Sequence, residues 1–465
     1  MQSVAEHYDA LASQRNKFFE RNRYYHNLLA KQYRSWIPSG SSVLEVGCGT
    51  GDLLNAVCPA GGVGVDLSPV TIEVARQRFP NLILVAGSVT DLPADAAFDY
   101  IILPGTLGEA EDVQALLENL RKHCHADTRI IVQYHSVLWQ YLLALAVAVG
   151  QRMPTPRQNW LTGTDISGML GLAGYEVVRS DKSILLPREI WLLSGLLNSI
   201  LGRLPLVEEL ALNHFLIARP TSFGHRDYSV SIVIPCRNER GNIMDAIRRI
   251  PEFGSSQEII FVEGGSSDGT YEEIELAIAT HPDKQISLHR QSGKGKGDAV
   301  RLGFSHAKND LLMILDADLT TPPETLPKFY HALTHGRGEF INGSRLVYPM
   351  ENEAMRFLNL LANKFFSIAF SWLLGQPVKD TLCGTKVLLR RHYEKIAANR
   401  SYFGDFDPFG DFDLLFGAAR LNLKITEVPI RYRERTYGTT NIDRWRHGWL
   451  LLRMVDFAAR RIKFI

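Results

Sequence analysis

The sequence predicts two consecutive α/β domains. Strand-like apolar runs alternate with helix-like patterns along all 465 residues, the signature of sheets covered by helices. Each half opens its own glycine-rich turn behind such a run. Between the halves lies ARPTSFGHRDYS (218–229), whose Pro220, Ser222 and Gly224 suit a short connection. The expected organisation is therefore a domain over 1–218, a linker over 219–227 and a second domain over 228–465.

Composition narrows the class. Hydrophobic residues make up 45% and charged residues 22%, ordinary for a globular protein and unlike a disordered or low-complexity chain. Lys+Arg number 51 and Asp+Glu 50, for a net charge of +1. No global basic field points to nucleic acid as a partner. Cys48, Cys58, Cys124, Cys236 and Cys383 are scattered without a C-x-x-C pair, which argues against a zinc ribbon or disulfide framework and for a reducing cytoplasm. The polar start MQSVAEHYDALASQRNKFFERNRYYHN has no apolar core and does not read as a secretory signal.

In the first half, VLEVGCGTG (43–51) reads as the end of a buried parallel strand running into a tight turn. Gly47, Gly49 and Gly51 let the backbone approach a ligand where a Cβ would collide. DLLNAV follows as a helix, and GVGVD ends a second strand at Asp66, where a carboxylate can accept from ribose hydroxyls. Ser68 caps the next helix and Pro69 opens it. The nicotinamide pattern G-x-G-x-x-G is not present, because Asp52 stands where its third glycine belongs.

In the second half, VSIVIP (230–235) and EIIFVE (258–263) are strands, and GGSSDGT after the latter is a turn able to hold a nucleotide. GKGKGDAVRLGF (293–304) opens a helix with amides and lysines, Lys296 among them, that suit a diphosphate. It lacks the G-K-[ST] ending of a Walker loop. LLMIL (311–315) carries a strand to Asp316 and Asp318. Residues i and i+2 of an extended strand share a side, and paired carboxylates repel unless a cation lies between them. Hard oxygen ligands suit Mg2+ or Mn2+ on a diphosphate.

The first half resembles class I S-adenosylmethionine-dependent methyltransferases, on IPSG before VLEVGCGTG, then GVDLSP, AGSVTDLP and FDYIIL. The resemblance implies a Rossmann-like domain binding S-adenosylmethionine through Glu45, Gly47, Gly49, Gly51 and Asp66, with Ser88 and Val89 beside the adenine. Ser88 replaces an Asp common in the family, no general base is visible after FDYIILPG, and Tyr8 and His7 are candidates for a pocket lid. A domain that binds cofactor or a partner without catalysis is the alternative.

The second half resembles family 2 glycosyltransferases of the GT-A fold, nearest the dolichyl- and polyprenyl-phosphate branch. The resemblance rests on IVIPCRNE, VEGGSSDGT, GKGKGDAVRLG, DADL, NGSR, DTLCGTKVLLRR, GDFDL and EVPIRYRERTYGTTN. It implies a nucleotide-sugar donor on Pro235, Arg237, Glu239, Glu263, Asp268, Lys296 and Arg345. The metal would sit on Asp316 and Asp318, and Arg435 would face phosphates. Asp411 or Asp413 would take a proton from a hydroxyl acceptor, whereas a lipid phosphate would need little base. Leu415 departs from a usual Glu. Thr440 and Asn441 stand in place of a Ser-Lys pair, with Arg444 or Arg446 as substitute cations.

None of the apolar stretches 130–151, 190–202 and 365–378 is expected to span a bilayer. From 431 to 465 nine Arg/Lys stand against three Asp/Glu. Apolar and basic residues interleave there at helical spacing, as in a helix lying on the inner face of a membrane.

Overall fold

The structure is a computed structural model that describes residues 3–57, 61–156, 158–221, 226–348, 357–400, 411–433, 435, 437–438 and 444–464; within these, the side chains of 357–363, Asp411, 444–448 and Leu450 are not described. The chain forms two compact units, Met1–Thr221 with Ile462–Ile465, and Ser222–Arg461.

The first unit is built on seven strands: β1 Ser42–Val46, β2 Gly61–Asp66, β3 Ile83–Ala86, β4 Phe98–Pro104, β5 Cys124–His135, β6 Tyr175–Ser183 and β7 Asn213–Pro220. Their order in the sheet is β3-β2-β1-β4-β5-β7-β6. The first five are parallel, and β7 runs antiparallel to both β5 and β6. Alternate residues of the central strands face opposite layers. Leu44, Val46, Ile101, Leu103, Ile130 and Val132 pack into one core, while Val43, Tyr100, Ile102 and Ile131 pack into another with Tyr33, Trp36 and Phe215. Both faces are covered, which is why these strands read as continuous apolar runs. Strand β7 continues through Arg219 and Pro220, two residues into the stretch expected as linker, because Arg219 pairs with Glu176 of β6 at 2.9 Å. The last residues also depart from the expected boundary: Lys463 is buried against Glu208 at 2.9 Å and Asp181 at 3.4 Å.

The second unit has β8 Val230–Cys236, β9 Gln257–Glu263, β10 Gln285–Arg290, β11 Leu311–Ile314, β12 Phe340–Ser344, β13 Lys386–Leu389 and β14 Ile425–Pro429. The order is β10-β9-β8-β11-β13-β12-β14. Strands β10, β9, β8 and β11 are parallel, and β13 is antiparallel to its neighbours β11 and β12. In both sheets the order reverses beside the first strand of the unit, between β1 and β4 and between β8 and β11. Such a switch point leaves a crevice at the carboxyl ends of the strands.

No helix among the described residues is long and apolar enough to cross a membrane. The stretch 130–151 is the end of β5 followed by a helix, Gln140–Ala148. In the basic C-terminal helix, Arg444–Ala458, the apolar positions Leu451, Met454 and Ala458 are buried, and Phe457 stacks on Phe416 at 6.5 Å. Its apolar stripe is therefore packed on protein, leaving Trp449 and Leu452 exposed.

Phe215 stands edge-on to Trp36 at 4.9 Å and to Tyr33 at 5.9 Å, all three buried. Phe215→Ala is expected to destabilise the first unit by about 3–5 kcal/mol, the usual cost of emptying an aromatic site in a close-packed core. Urea unfolding curves of the two proteins check this.

Candidate functional site

The switch point of the first unit opens into a cavity of about 960 Å³. At one side is the turn after β1, where Gly47, Gly49 and Gly51 all hold positive φ, 76°, 52° and 75°. That backbone region strains any residue with a Cβ. Asp66 ends β2 and braces the turn, with Oδ2 accepting from the Gly49 amide at 2.8 Å and Oδ1 from the Ser68 amide at 3.0 Å. Each oxygen keeps a second lone pair for a ligand hydroxyl. Ser88 and Val89 also line the cavity. Ser88 caps a short 3-10 turn, and its amide donates to Asp91 Oδ2 at 2.7 Å, so an acid three residues on folds back beside the serine.

Glu45 is buried at 2% exposure and lines the same cavity. Burial pushes its carboxyl well above the ordinary range, only partly offset by the Leu54 amide and by Arg15. Its Oε2 has no hydrogen-bond partner among the described residues. A buried acceptor without a donor is costly in isolation and fits a donor brought by a ligand.

The roof is the helix Val4–Arg21. Tyr8 and Arg15 lie seven residues apart on one face of it. Arg15 reaches over the glycine turn, where a Cβ on Gly49 would overlap its guanidinium, and also lies over the Tyr8 ring. The Tyr8 hydroxyl donates to Glu109 Oε1 at 2.7 Å, and burial raises the Glu109 carboxyl above its usual value. Arg15 and Glu109 carry no motif. The seven-residue spacing with Tyr8 is the one signal in the sequence that could have pointed to Arg15.

Two histidines of this cavity are held neutral. Burial lowers His26 from 6.5 to about 4 against the nearby charge of Asp52. Burial, with a smaller push from Arg152, lowers His135 from 6.5 to about 3.

In the second unit, Asp316 and Asp318 follow β11 at the switch point. Asp316 Oδ1 is 2.5 Å from Lys296 Nζ, the first residue of the helix Lys296–His306. Burial opposes ionisation of Asp316, but Lys296, Lys386 and Arg345 outweigh it and hold the carboxyl below its ordinary value. Asp318 Oδ2 accepts from Arg435 Nη2 at 2.8 Å, and its Oδ1 accepts from the Thr320 amide and hydroxyl at 3.1 and 2.8 Å. The other arm of Arg435 donates to Glu239 Oε1 at 2.9 Å. A Cβ on Gly384 would overlap both Asp316 Oδ2 and Lys296 Nζ, so this glycine makes room for the pair.

The sequence-derived residues thus divide. Asp316 pairs with Lys296, and Asp318 is joined to Glu239 through Arg435. Asp268 accepts from the Arg240 amide and the Tyr437 hydroxyl at 3.2 Å each. Glu263 is buried and accepts from the Ser266 amide at 2.5 Å, which shapes the turn after β9. Pro235, one residue before the end of β8, is half-buried, and Arg237 just past the strand is exposed. Arg345 is held on both oxygens of Asp380, at 2.7 and 2.8 Å, with Tyr432 under its guanidinium. Asp413 lies buried on the helix Asp411–Arg420 and pairs with Arg400 at 2.9 Å. The Asp411 side chain, Thr440, Asn441 and the side chains of Arg444 and Arg446 lie outside the described residues. Asp380, Gly384 and the buried Lys386 were not singled out from the sequence; DTLCGTK was noted as a whole.

Comparison with known proteins matches each half separately. Residues 13–180 match the family described as Methyltransferase domain, and residues 231–397 match Glycosyl transferase family 2. Among curated proteins, the chain is 30% identical over 225 residues to Glycosyltransferase AglJ of Haloferax volcanii, covering 48% of this chain and 69% of the relative. It is 29% identical over 247 residues to Dolichol-phosphate mannosyltransferase of Pyrococcus furiosus, covering 50% and 67%. It is 33% identical over 215 residues to Undecaprenyl-phosphate 4-deoxy-4-formamido-L-arabinose transferase of Edwardsiella ictaluri, covering 45% and 61%. Similar solved structures include magnesium protoporphyrin IX methyltransferase of Synechocystis with bound SAH, at 16% identity, TM-score 0.35, and coverage of 47% of this chain and 98% of that one. They also include glucosyl-3-phosphoglycerate synthase of Mycobacterium tuberculosis with Mn2+, UDP and glucosyl-3-phosphoglycerate, at 19% identity, TM-score 0.37, and coverage of 50% and 80%.

Two outcomes are expected. His26 and His135 titrate near 6.5 when unfolded and only at about 4 and about 3 when folded. The unfolded chain therefore takes up protons first, and stability present above pH 6.5 is lost on acidification, by about 2 kcal/mol for each ring at pH 5. Unfolding curves at pH 7 and pH 5 should show the loss, reduced in His26→Gln/His135→Asn; an undiminished loss in that variant contradicts it. Gly384→Ala should lower sugar transfer on the order of 10²-fold by displacing Asp316 or Lys296, with the melting temperature of the second unit little changed.

Proposed function

We infer function from what the chain is: it belongs to glycosyl transferase family 2 through its second half, carries a methyltransferase domain in its first, and is a transferase. We propose that the second half moves a sugar from a nucleotide-sugar donor to a lipid phosphate of the polyprenyl type, and that the first half methylates the same glycan or glycolipid, using S-adenosylmethionine. The observation that carries the sugar-transfer half is the Asp316–Lys296 and Asp318–Arg435–Glu239 cluster at the carboxyl end of β11.

The residues present fit a divalent cation. Two carboxylates emerge just past a strand end, with Gly384 leaving room for Asp316 and Lys296, and hard oxygens are the donor type Mg2+ and Mn2+ take. When bound on Asp316 and Asp318, the metal would neutralise charge on the leaving nucleoside diphosphate. Lys296 helps hold the Asp316 carboxyl below its ordinary value, and Lys296 and Arg435 supply positive charge for phosphate oxygens. Glu239 and Asp268 fix Arg435 and the turns after β8 and β9, where Pro235 and Arg237 on the first and Glu263 on the second frame the nucleotide. Arg345, engaged on Asp380, shapes the floor and adds to the field on Asp316. Asp413 is engaged by Arg400 at 2.9 Å, and a lipid phosphate, already anionic, needs no carboxylate to take a proton. The names of the Pyrococcus and Edwardsiella relatives agree with such an acceptor.

The first cavity fits S-adenosylmethionine. The positive-φ glycine turn leaves room for it, Asp66 offers lone pairs to a ribose, Ser88 and Val89 flank the adenine, and the orphaned Glu45 Oε2 meets an ammonium. Arg15 over the turn is the counter-ion for a carboxylate. When bound there, S-adenosylmethionine would supply the methyl group of its sulfonium sulfur to the acceptor oxygen, leaving as the neutral thioether. Glu109, its affinity for a proton raised by burial, takes the proton of the acceptor hydroxyl.

Two measurements test these assignments. Asp316→Ala/Asp318→Ala should abolish sugar release from UDP-, GDP- and dTDP-sugars with Mn2+ and a polyprenyl phosphate, leaving methyl transfer intact; retained release counts against the site. Glu109→Gln should slow methyl transfer about 10²–10⁴-fold with S-adenosylmethionine affinity unchanged by calorimetry.

A further inference from the structure

The cavity of the first unit extends well past the residues assigned to the cofactor. Along the sheet order, the carboxyl ends of β3, β2 and β1 hold the glycine turn, Asp66 and Ser88, whereas the far side lies beyond β5 at His135. There the wall is the helix Gln140–Ala148 and the residue after it. Leu142, Leu145 and Val149 line the cavity and are at the same time 55%, 58% and 58% exposed. Spaced i, i+3 and i+7, they form one stripe running from the cavity to the surface. Apolar side chains of this size rarely stay in water in a contiguous row without a ligand or partner to cover them.

Cations stand at the end of that stripe. Arg152 follows Val149 by three residues, and both Arg152 and Arg188 line the cavity, half-buried. Arg188 donates to the Gln151 side chain and to the Arg21 carbonyl. Among the described residues no carboxylate lies within ion-pair distance of either guanidinium. Arg152 acts on the Glu109 carboxyl only through space. A cavity wall with an aliphatic track and two guanidinia outside any close ion pair matches an anionic headgroup on a hydrocarbon chain. A free sugar or a soluble metabolite would leave the track bare.

We propose that the methyl acceptor is an anionic amphiphile with a long alkyl or isoprenoid chain. Its chain lies along Leu142, Leu145 and Val149, its negative group faces Arg152 and Arg188, and its reacting hydroxyl lies at Glu109. The assignment rests on the methyltransferase reading of this domain and narrows the acceptor it uses.

The full chain, saturated with S-adenosylhomocysteine, is titrated by calorimetry with methyl, octyl and dodecyl phosphate below their micelle concentrations, and with dodecyl glucoside. Each fully buried methylene is worth about fourfold in affinity. Dodecyl phosphate should therefore bind at least about tenfold tighter than octyl phosphate even on a half-open track, and tighter than dodecyl glucoside. In Leu142→Ser/Leu145→Ser/Val149→Ser the dependence on chain length should fall below about threefold, with S-adenosylhomocysteine affinity unchanged. Equal binding of the wild-type protein to all chain lengths overturns the proposal without reference to any variant. So does a chain-length dependence that survives the triple substitution. Sedimentation with anionic vesicles in the absence of a chain-length dependence makes the stripe a membrane dock and overturns it as well. Loss of S-adenosylhomocysteine binding in the wild-type protein removes the methyltransferase reading itself, an outcome distinct from the other three.

Discussion

A carboxylate at the carboxyl end of a buried parallel strand stays charged only if counter-charge is built beside it. That constraint organises the second unit. Asp316 and Asp318 emerge where apolar β11 stops, and burial opposes ionisation of Asp316. Lys296 from a helix start and Lys386 from the neighbouring antiparallel strand help hold the Asp316 carboxyl below its ordinary value, while Arg435 from far along the chain pairs with Asp318. The turn after β8 and the turn after β9 are then fixed to this cluster through Glu239 and Asp268. The site is a set of charges mutually compensated at a sheet's switch point.

The first unit solves a different problem with the same geometry. Its turn after β1 is a backbone cradle, beside which the buried Glu45 Oε2 has no hydrogen-bond partner among the described residues and Arg15 overhangs the glycines. The roofing helix supplies Tyr8 and Arg15 and so couples the N-terminal segment to the same cavity that the sheet creates.

What was legible in the sequence were features whose function and local structure coincide. Gly47, Gly49 and Gly51 announce their backbone, and Asp316 and Asp318 announce themselves by following LLMIL. Lys296 was visible because it opens a helix within a glycine-rich turn. Residues that act by arriving from elsewhere were not legible as such. Gly384 matters only because Asp316 and Lys296 meet across it, and Glu109 only because Tyr8 reaches it. Arg345 and Asp413 were assigned by motif, and their partners Asp380 and Arg400 change what each can do. The basic C-terminal helix shows the limit of periodicity: Leu451, Met454 and Ala458 recur as a lipid-facing stripe would, yet pack on protein, because spacing defines a face and not what covers it.

The measurement closest to the central claim is metal binding by the acidic pair in the presence of nucleotide. Titration of Mn2+ into the full chain with UDP or GDP, followed by electron paramagnetic resonance, should show one tightly held ion per chain that is lost in Asp316→Asn/Asp318→Asn. No bound ion in the wild-type protein with any nucleoside diphosphate, or an ion retained by the double variant, would contradict the account.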